Sequence, residues 1–184
     1  MQHIYENIDG WFTFPGLYTF AVNKFNNAKF VEIGAWLGKS TSYMAVEIAN
    51  SNKNIEFYCV DTWKGSPEHG NDPLLEDNKL WEKFLENTKS ISSYIKPLKM
   101  TSIEASKQFE DNSLDFIFID GAHGYEYVKD DINHWFPKLK KDGIIAGHDY
   151  NAGWDGVNKA VDEWAAKHEF KIISSEFCWI SNLK

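Results

Sequence analysis

Phe30-Val31-Glu32-Ile33-Gly34-Ala35-Trp36-Leu37-Gly38-Lys39-Ser40-Thr41 reads as a buried strand that turns sharply into a helix. An apolar run carrying one acid leads to two glycines, and a helix start follows. Glycine has no Cβ, so it tolerates unusual dihedrals and lets a ligand approach the main chain. The first turn of a helix offers unpaired N–H groups to an electron-rich group. A nucleotide-like cofactor is therefore expected here. The spacing decides which kind. A phosphate-binding loop needs four residues between its glycines, and Gly34 and Gly38 enclose only three. The dinucleotide fingerprint G-x-G-x-x-G fails because Trp36 stands where its second glycine belongs. What remains is E-x-G-x-x-x-G.

Composition sets bounds on the rest. The chain has 184 residues, 43% hydrophobic and 16% aromatic with eight tryptophans, enough for a sizeable core in one domain over residues 1–184. The net charge is −8, and all nineteen basic residues are lysines. Nucleic acid is not expected as a partner, because phosphate backbones need clustered positive charge, and no guanidinium fork is present for phosphate or carboxylate. No run reaches transmembrane length and no basic-then-apolar leader is evident, so a cytoplasmic protein without a membrane partner is expected. Cys59 and Cys178 lie in strand-like runs and read as buried thiols of a reducing compartment.

Strand and helix patterns alternate almost throughout, which favours a doubly wound α/β fold with a mostly parallel sheet covered on both faces. Strands are predicted at Lys29–Ala35, Glu56–Asp61, Ile95–Met100, Leu114–Asp120 and Gly143–Asp149, with a terminal hairpin in Phe170–Ser181 split near Ser175-Glu176. Helices are predicted at Gly16–Phe25, Ser40–Asn50, Glu76–Ser90, Ile103–Phe109, Tyr125–Leu139 and Gly156–His168. Trp63–Asp77 has no period and reads as a loop.

In open α/β sheets ligands bind beyond the carboxyl ends of the strands, and polar residues sit there in this sequence. Glu32 and Gly34 close the first strand, Asp61 the second, Asp120 the fourth, His148 and Asp149 the fifth. Asp61 suits a carboxylate for ribose hydroxyls, or else caps a backbone turn. Trp63 could cover an adenine face or belong to the core. His123, three residues past Asp120, suits a general base or a loop cap. Asp120, His148 and Asp149 offer mixed nitrogen and oxygen ligands for Mg²⁺ or Mn²⁺, or else shape the pocket by hydrogen bonds. Asp130 and Asp131 read as solvated or capping residues of their helix.

Phe118-Ile119-Asp120-Gly121-Ala122-His123-Gly124-Tyr125, continued by Val128, Asp131 and Ile132, resembles the phrase F-I-D-G-x-H-x-Y-x-x-V-x-x-D-I of small O-methyltransferase-like proteins. These belong to the class I S-adenosylmethionine-dependent methyltransferases, which also carry E-x-G-x-x-x-G. Val60-Asp61-Thr62-Trp63 and Gly143–Asp149 follow in the right order, so the resemblance spans roughly Phe30 to Tyr150. It implies a Rossmann-like, seven-stranded sheet with an antiparallel C-terminal strand. It also implies S-adenosylmethionine bound at Glu32, Gly34, Ala35, Gly38, Ser40, Asp61, Thr62, Trp63, Ser102 and Asp120. For metal-dependent relatives it implies catalysis by Asp120 and His123, and a metal on Asp120, His148 and Asp149. This chain departs from those relatives in placing His148 where an acid is usual and His123 where a lysine is common. It also has Met100-Thr101-Ser102 in place of Gly-Asp-Ser.

The function expected is methyl transfer from S-adenosylmethionine to an oxygen of a small polar acceptor, with a divalent metal as an option. Acceptor contacts are expected from an aromatic N-terminal segment within residues 1–28 (Trp11, Phe12, Phe14), the Trp63–Asp77 loop and Trp154. The same aromatics would also suit a homodimer contact. A cofactor-binding protein without transferase activity and a metal-dependent hydrolase using Asp120, His123, His148 and Asp149 are the competing readings.

Overall fold

From Phe30 onward β1 (Asn27–Ile33) is buried at every position, as a strand covered on both faces must be. In the computed structural model, which describes residues 1–182, β1 is an inner strand of a seven-stranded sheet. It pairs in parallel with β2 (Asn54–Asp61) on one side and β4 (Leu114–Ile119) on the other. Outward from these, β3 (Lys96–Lys99) joins β2 and β5 (Leu139–Gly147) joins β4, again in parallel. β7 (Cys178–Asn182) runs antiparallel to β5, and β6 (Lys171–Ser175) antiparallel to β7. The order is β3-β2-β1-β4-β5-β7-β6. This is the expected Rossmann-like fold, and the hairpin of β6 and β7 supplies its antiparallel edge.

Among the described residues, six α-helices cover the sheet: α1 (Pro15–Lys24), α2 (Lys39–Ser51), α3 (Lys79–Thr88), α4 (Ser102–Ser106), α5 (Tyr125–Trp135) and α6 (Asp155–His168). Side chains alternate across a strand, so neighbouring residues feed opposite layers. Phe30, Phe116 and Phe118 join the layer under α1 and α2, while Val31, Ile117 and Ile119 join the layer under α5 and α6. Cys59 and Cys178 are buried free thiols. Among the described residues, no helix is long and apolar enough to cross a membrane.

Several boundaries differ from the sequence reading for local reasons. α5 stops at Trp135 and not at Leu139, because Pro137 lacks an amide hydrogen and the chain tightens into a 3₁₀ turn at Phe136–Lys138. β5 starts at Leu139, ahead of Gly143, and reaches β4 across a register shift between Leu114 and Phe116. α3 begins at Lys79, after a separate 3₁₀ turn at Pro73–Leu75. The β6–β7 connection is a two-residue turn, Glu176 and Phe177, both left-handed at φ 52° and 62°, which is the type I′ geometry that tight hairpins favour.

Candidate active site

The sheet order reverses between β1 and β4, and the chain leaves the two strands in opposite directions there. Gly34 sits at this crossing with φ +90°, and a Cβ on it would lie 1.8 Å from the Asp120 carbonyl oxygen. Glycine is therefore required by the contact between two strand ends. Gly38, at φ +87°, faces Thr88 and Phe84, and a Cβ there would come within 2.7 Å of Thr88. Both glycines are accounted for by chain meeting chain, and Gly34 also faces a cleft.

That cleft, about 900 Å³, opens over the carboxyl ends of the strands, a size suited to a cofactor and a small molecule together. Gly34, Ala35, Ser40, Asp61, Thr62, Ser102, Asp120, His123, His148 and Asp149 all line it. A smaller hollow of about 470 Å³, bordered by Asp111, Pro137 and Lys140, lies at the opposite ends of β4 and β5 and brings together none of these residues.

Three expected cofactor contacts lie elsewhere. Trp63 is 1% exposed; its ring packs on Trp81 and Phe84, and its indole N–H donates to the Trp36 carbonyl at 2.9 Å. It belongs to the core and does not cover a ligand face. Glu32, also 1% exposed, accepts from the hydroxyls of Tyr18, at 2.7 Å, and Thr41. It joins α1, β1 and α2 beneath the glycine corner and does not border the cleft. Burial raises its carboxyl to about 7, against the lowering effect of bonds from Thr41, Ser40 and Tyr18. Gly38 serves the packing of α2 on α3, as described. Phe14, expected at the cleft, is likewise buried, against Phe118 and Tyr18.

Asp61 caps the backbone turn and also borders the cleft. Its Oδ2 accepts the backbone N–H groups of Ala35 and Trp36 at 3.0 and 2.9 Å, while Oδ1 accepts that of Trp63 at 2.8 Å. The carboxylate thus fixes the loop that follows β1. Trp36, left-handed at φ 46°, projects into the cleft and stacks on His69 with centroids 4.2 Å apart.

The other side of the cleft holds a lattice of carboxylates and imidazoles. His123 Nε2 lies 2.8 Å from Asp149 Oδ2, and His148 Nδ1 lies 3.2 Å from the same oxygen and 3.6 Å from Asp120 Oδ1. His148 Nε2 meets the Thr13 hydroxyl at 3.1 Å. Glu68, from the loop after β2, accepts the His123 backbone N–H at 2.8 Å, and the ring of His123 stacks on Trp154 at 4.4 Å. Burial opposes the charged form of both histidines, but the neighbouring carboxylates outweigh it. The pKa of His123 is raised, and that of His148 reaches about 10. The same contacts hold Asp149 well below the usual carboxylate range despite its burial. Asp149 is left-handed at φ 62°, and such backbone costs about 1–3 kcal/mol and gathers at functional sites.

For a divalent ion, the donors that converge are Asp120, His123 and Asp149, each offering one atom within 4.8 Å of the others. This set fits a metal with mixed nitrogen and oxygen ligands, and His123 Nδ1 is buried without a hydrogen-bond partner. The expected set named His148 in place of His123. His148 is engaged at both ring nitrogens, by the Thr13 hydroxyl and by Asp149.

Sequence reasoning also placed Asp131 in the solvated or capping part of α5, whereas it is 7% exposed and lines the cleft, its carboxyl raised to about 6 by burial against the effect of the Ser102 hydroxyl. The signal was available: Val128, Asp131, Ile132 and Trp135 share helical spacing, so the acid occupies a core-facing position. Glu68 and Thr13 carry no such pattern, since their contacts arise only on folding.

Residues 31–150 match the model of a methyltransferase domain family. This chain belongs to that family. Its fold and motifs are those of the class I S-adenosylmethionine-dependent methyltransferases. The uncharacterized protein y4gI of Sinorhizobium fredii is 25% identical over 147 residues, covering 80% of this chain but 16% of that protein. The chain therefore spans about a sixth of the length of the curated relative it matches. Among solved structures, the O-methyltransferase NovP is similar with a TM-score of 0.69 at 20% identity, over 91% of this chain and 78% of that one. The SAH-bound methyltransferase PaMTH1 of Podospora anserina has a TM-score of 0.64 at 15% identity, over 92% and 77%. At such identities the likeness speaks for the fold, and the acceptor must be argued from the site.

Proposed function

We propose that the protein transfers the methyl group of S-adenosylmethionine to a hydroxyl oxygen of a small polar acceptor. The observation that carries this reading is the meeting of two unlike halves in one cleft: a glycine corner fixed by Asp61, and the His123–Asp149 pair beside Asp120. The cofactor would lie along Gly34, Ala35 and Asp61, with Ser102 and Asp131 toward its far end. His123 takes the proton of the acceptor hydroxyl at Nε2, the ring nitrogen 2.8 Å from Asp149, since its Nδ1 is buried, and Asp149 stabilises the cation that forms. The oxygen then displaces the sulfonium methyl in line, a reaction helped mainly by holding the two partners close. Glu68 and Trp154 fix the loop and ring of His123.

A metal-assisted version is favoured by the convergence of Asp120, His123 and Asp149. These residues would hold a divalent ion, and when bound it would lower the pKa of a hydroxyl beside it. His123 would then act as a ligand, leaving proton removal to another group. Cytoplasmic residence fits the two buried free thiols.

The test is transfer of isotope-labelled methyl from S-adenosylmethionine to a panel of hydroxyl compounds, with and without Mg²⁺ or Mn²⁺, in wild type and H123A. Transfer lowered about 10²–10⁴-fold in H123A, with cofactor binding retained, is the expected outcome. Full transfer in H123A removes the base assignment. Dependence on added metal selects the second version.

A further inference from the structure

Past Asp61 the cleft runs on to the turn after β3 and to α5. The Met100 N–H donates to the Asp61 carbonyl at 3.1 Å, so that turn is attached directly to the Asp61 corner. Ile33, Val60, Met100 and Ile103 line this end and give it apolar walls. The nearest acid along the chain, Glu104, is taken up by its own helix cap, where it accepts the N–H and the hydroxyl of Thr101. Two acids of α5 line the cleft, Asp130 and Asp131. Asp130 is exposed, whereas Asp131 is buried.

Asp131 is short of donors. Trp135, one helical turn further along α5, donates its indole N–H to Ser102 Oγ at 2.7 Å, which leaves the Ser102 hydrogen free to turn to Asp131. Burial raises the Asp131 carboxyl to about 6, against the lowering effect of that one hydroxyl. A carboxylate has room for about four hydrogen bonds, and a buried one without partners is costly. The space beside it is kept clear. A Cβ on Gly121 would stand 3.3 Å from Asp131 Oδ2, and Gly121 has no left-handed φ that would itself demand glycine. An apolar pocket end with one under-partnered carboxylate calls for a flat ligand that carries a hydrogen-bond donor on its edge.

We infer that Asp131 selects the base of the cofactor: its carboxylate accepts a hydrogen bond from the exocyclic amino group of adenine, with Ser102 holding the carboxylate in place. This rests on the methyl-transfer reading, with S-adenosylmethionine as the cofactor. A 6-amino purine brings the donor that Asp131 lacks, and its faces suit the apolar walls. A 6-oxo purine sets an oxygen against the carboxylate and leaves both without a partner, which a site built around a hydrogen bond rejects.

Calorimetric titration would compare S-adenosylhomocysteine with S-inosylhomocysteine, which carries oxygen in place of the amino group, on wild type and Asp131→Asn. Wild type is expected to bind the adenine compound about tenfold or more tightly. In the variant Ser102 engages the amide oxygen and leaves its NH₂ for the ligand, where it suits the 6-oxo group. The preference is therefore expected to fall to about threefold or less, or to reverse. A merely structural role would weaken both compounds together and leave their ratio unchanged. Asp131→Ser, which fits the same space, is the second variant should the first not fold, and the same fall is expected. A smaller preference in wild type, or one that stays above that limit in a folded variant, overturns the proposal. No binding of S-adenosylhomocysteine to wild type removes the methyl-transfer reading itself, whereas its binding with a preference that Asp131 does not control removes only this assignment.

Discussion

The corner between β1 and β2 and the corner between β4 and β5 both end strands in carboxylates, and they use them in opposite ways. At the first, Asp61 spends its oxygens on the backbone N–H groups of Ala35, Trp36 and Trp63. At the second, Asp120 and Asp149 face imidazoles. A carboxylate bonded to backbone shapes a surface. A carboxylate bonded to imidazole raises that ring's basicity and holds its charge. The first corner fixes a backbone loop, the second pairs carboxylates with imidazoles, and the difference lies in the partners and not in the residue type.

Changing each corner should sharpen that contrast. The largest effect is expected at the backbone corner. Gly34→Ala must accommodate a Cβ 1.8 Å from the Asp120 carbonyl at φ +90°, so a stability loss above about 3 kcal/mol and loss of cofactor binding are expected, read by thermal unfolding and calorimetry. Near-wild-type behaviour would mean that the strands can part there. At the imidazole corner, His123→Ala is expected to leave folding and cofactor affinity intact while lowering transfer about 10²–10⁴-fold. A matching loss of cofactor binding would merge the two corners into one.

Beneath both corners, Glu32 gives a pH signature. Its folded pKa, about 7, exceeds the ordinary 4.5 because of burial, so the folded state keeps a proton that the unfolded chain releases. That stability is fully present below about pH 4.5 and is lost as pH rises through about 7. Glu32→Gln is expected to remove this slope, gaining on the order of 1–3 kcal/mol relative to wild type at pH 8 over its difference at pH 4. Parallel stability–pH curves for the two proteins would contradict it. The smallest effect is expected from Glu68→Ala. It removes the acceptor of the His123 N–H at 2.8 Å at a cost of about 0.5–1.5 kcal/mol, seen as faster exchange of that amide, and Glu68→Gln should restore it.

The same contrast explains what the sequence disclosed. The glycine corner is local: Gly34 and Asp61 end neighbouring strands, and their spacing follows from the turn itself. The places of the strands along the chain were legible for the same reason, since alternation and strand-end acids are short-range patterns. Trp63 misleads because a tryptophan two residues past a strand-end acid has the same local signature whether it turns out or in, and Trp81 and Phe84 on α3 draw it inward. Glu32 misleads likewise, as its partners Tyr18 and Thr41 come from two different helices. His123 enters the candidate metal group because its loop brings Nε2 to 2.8 Å from Asp149, a contact between two strand ends that no spacing rule reaches.

The most direct measurement is calorimetric titration of S-adenosylhomocysteine into the metal-stripped protein, wild type and D61A. Micromolar-range binding in wild type, lost in a folded D61A variant, is the outcome the two-corner cleft requires. No heat of binding from folded wild type, or equal affinity in D61A, would contradict a cofactor seated at the Gly34–Asp61 corner.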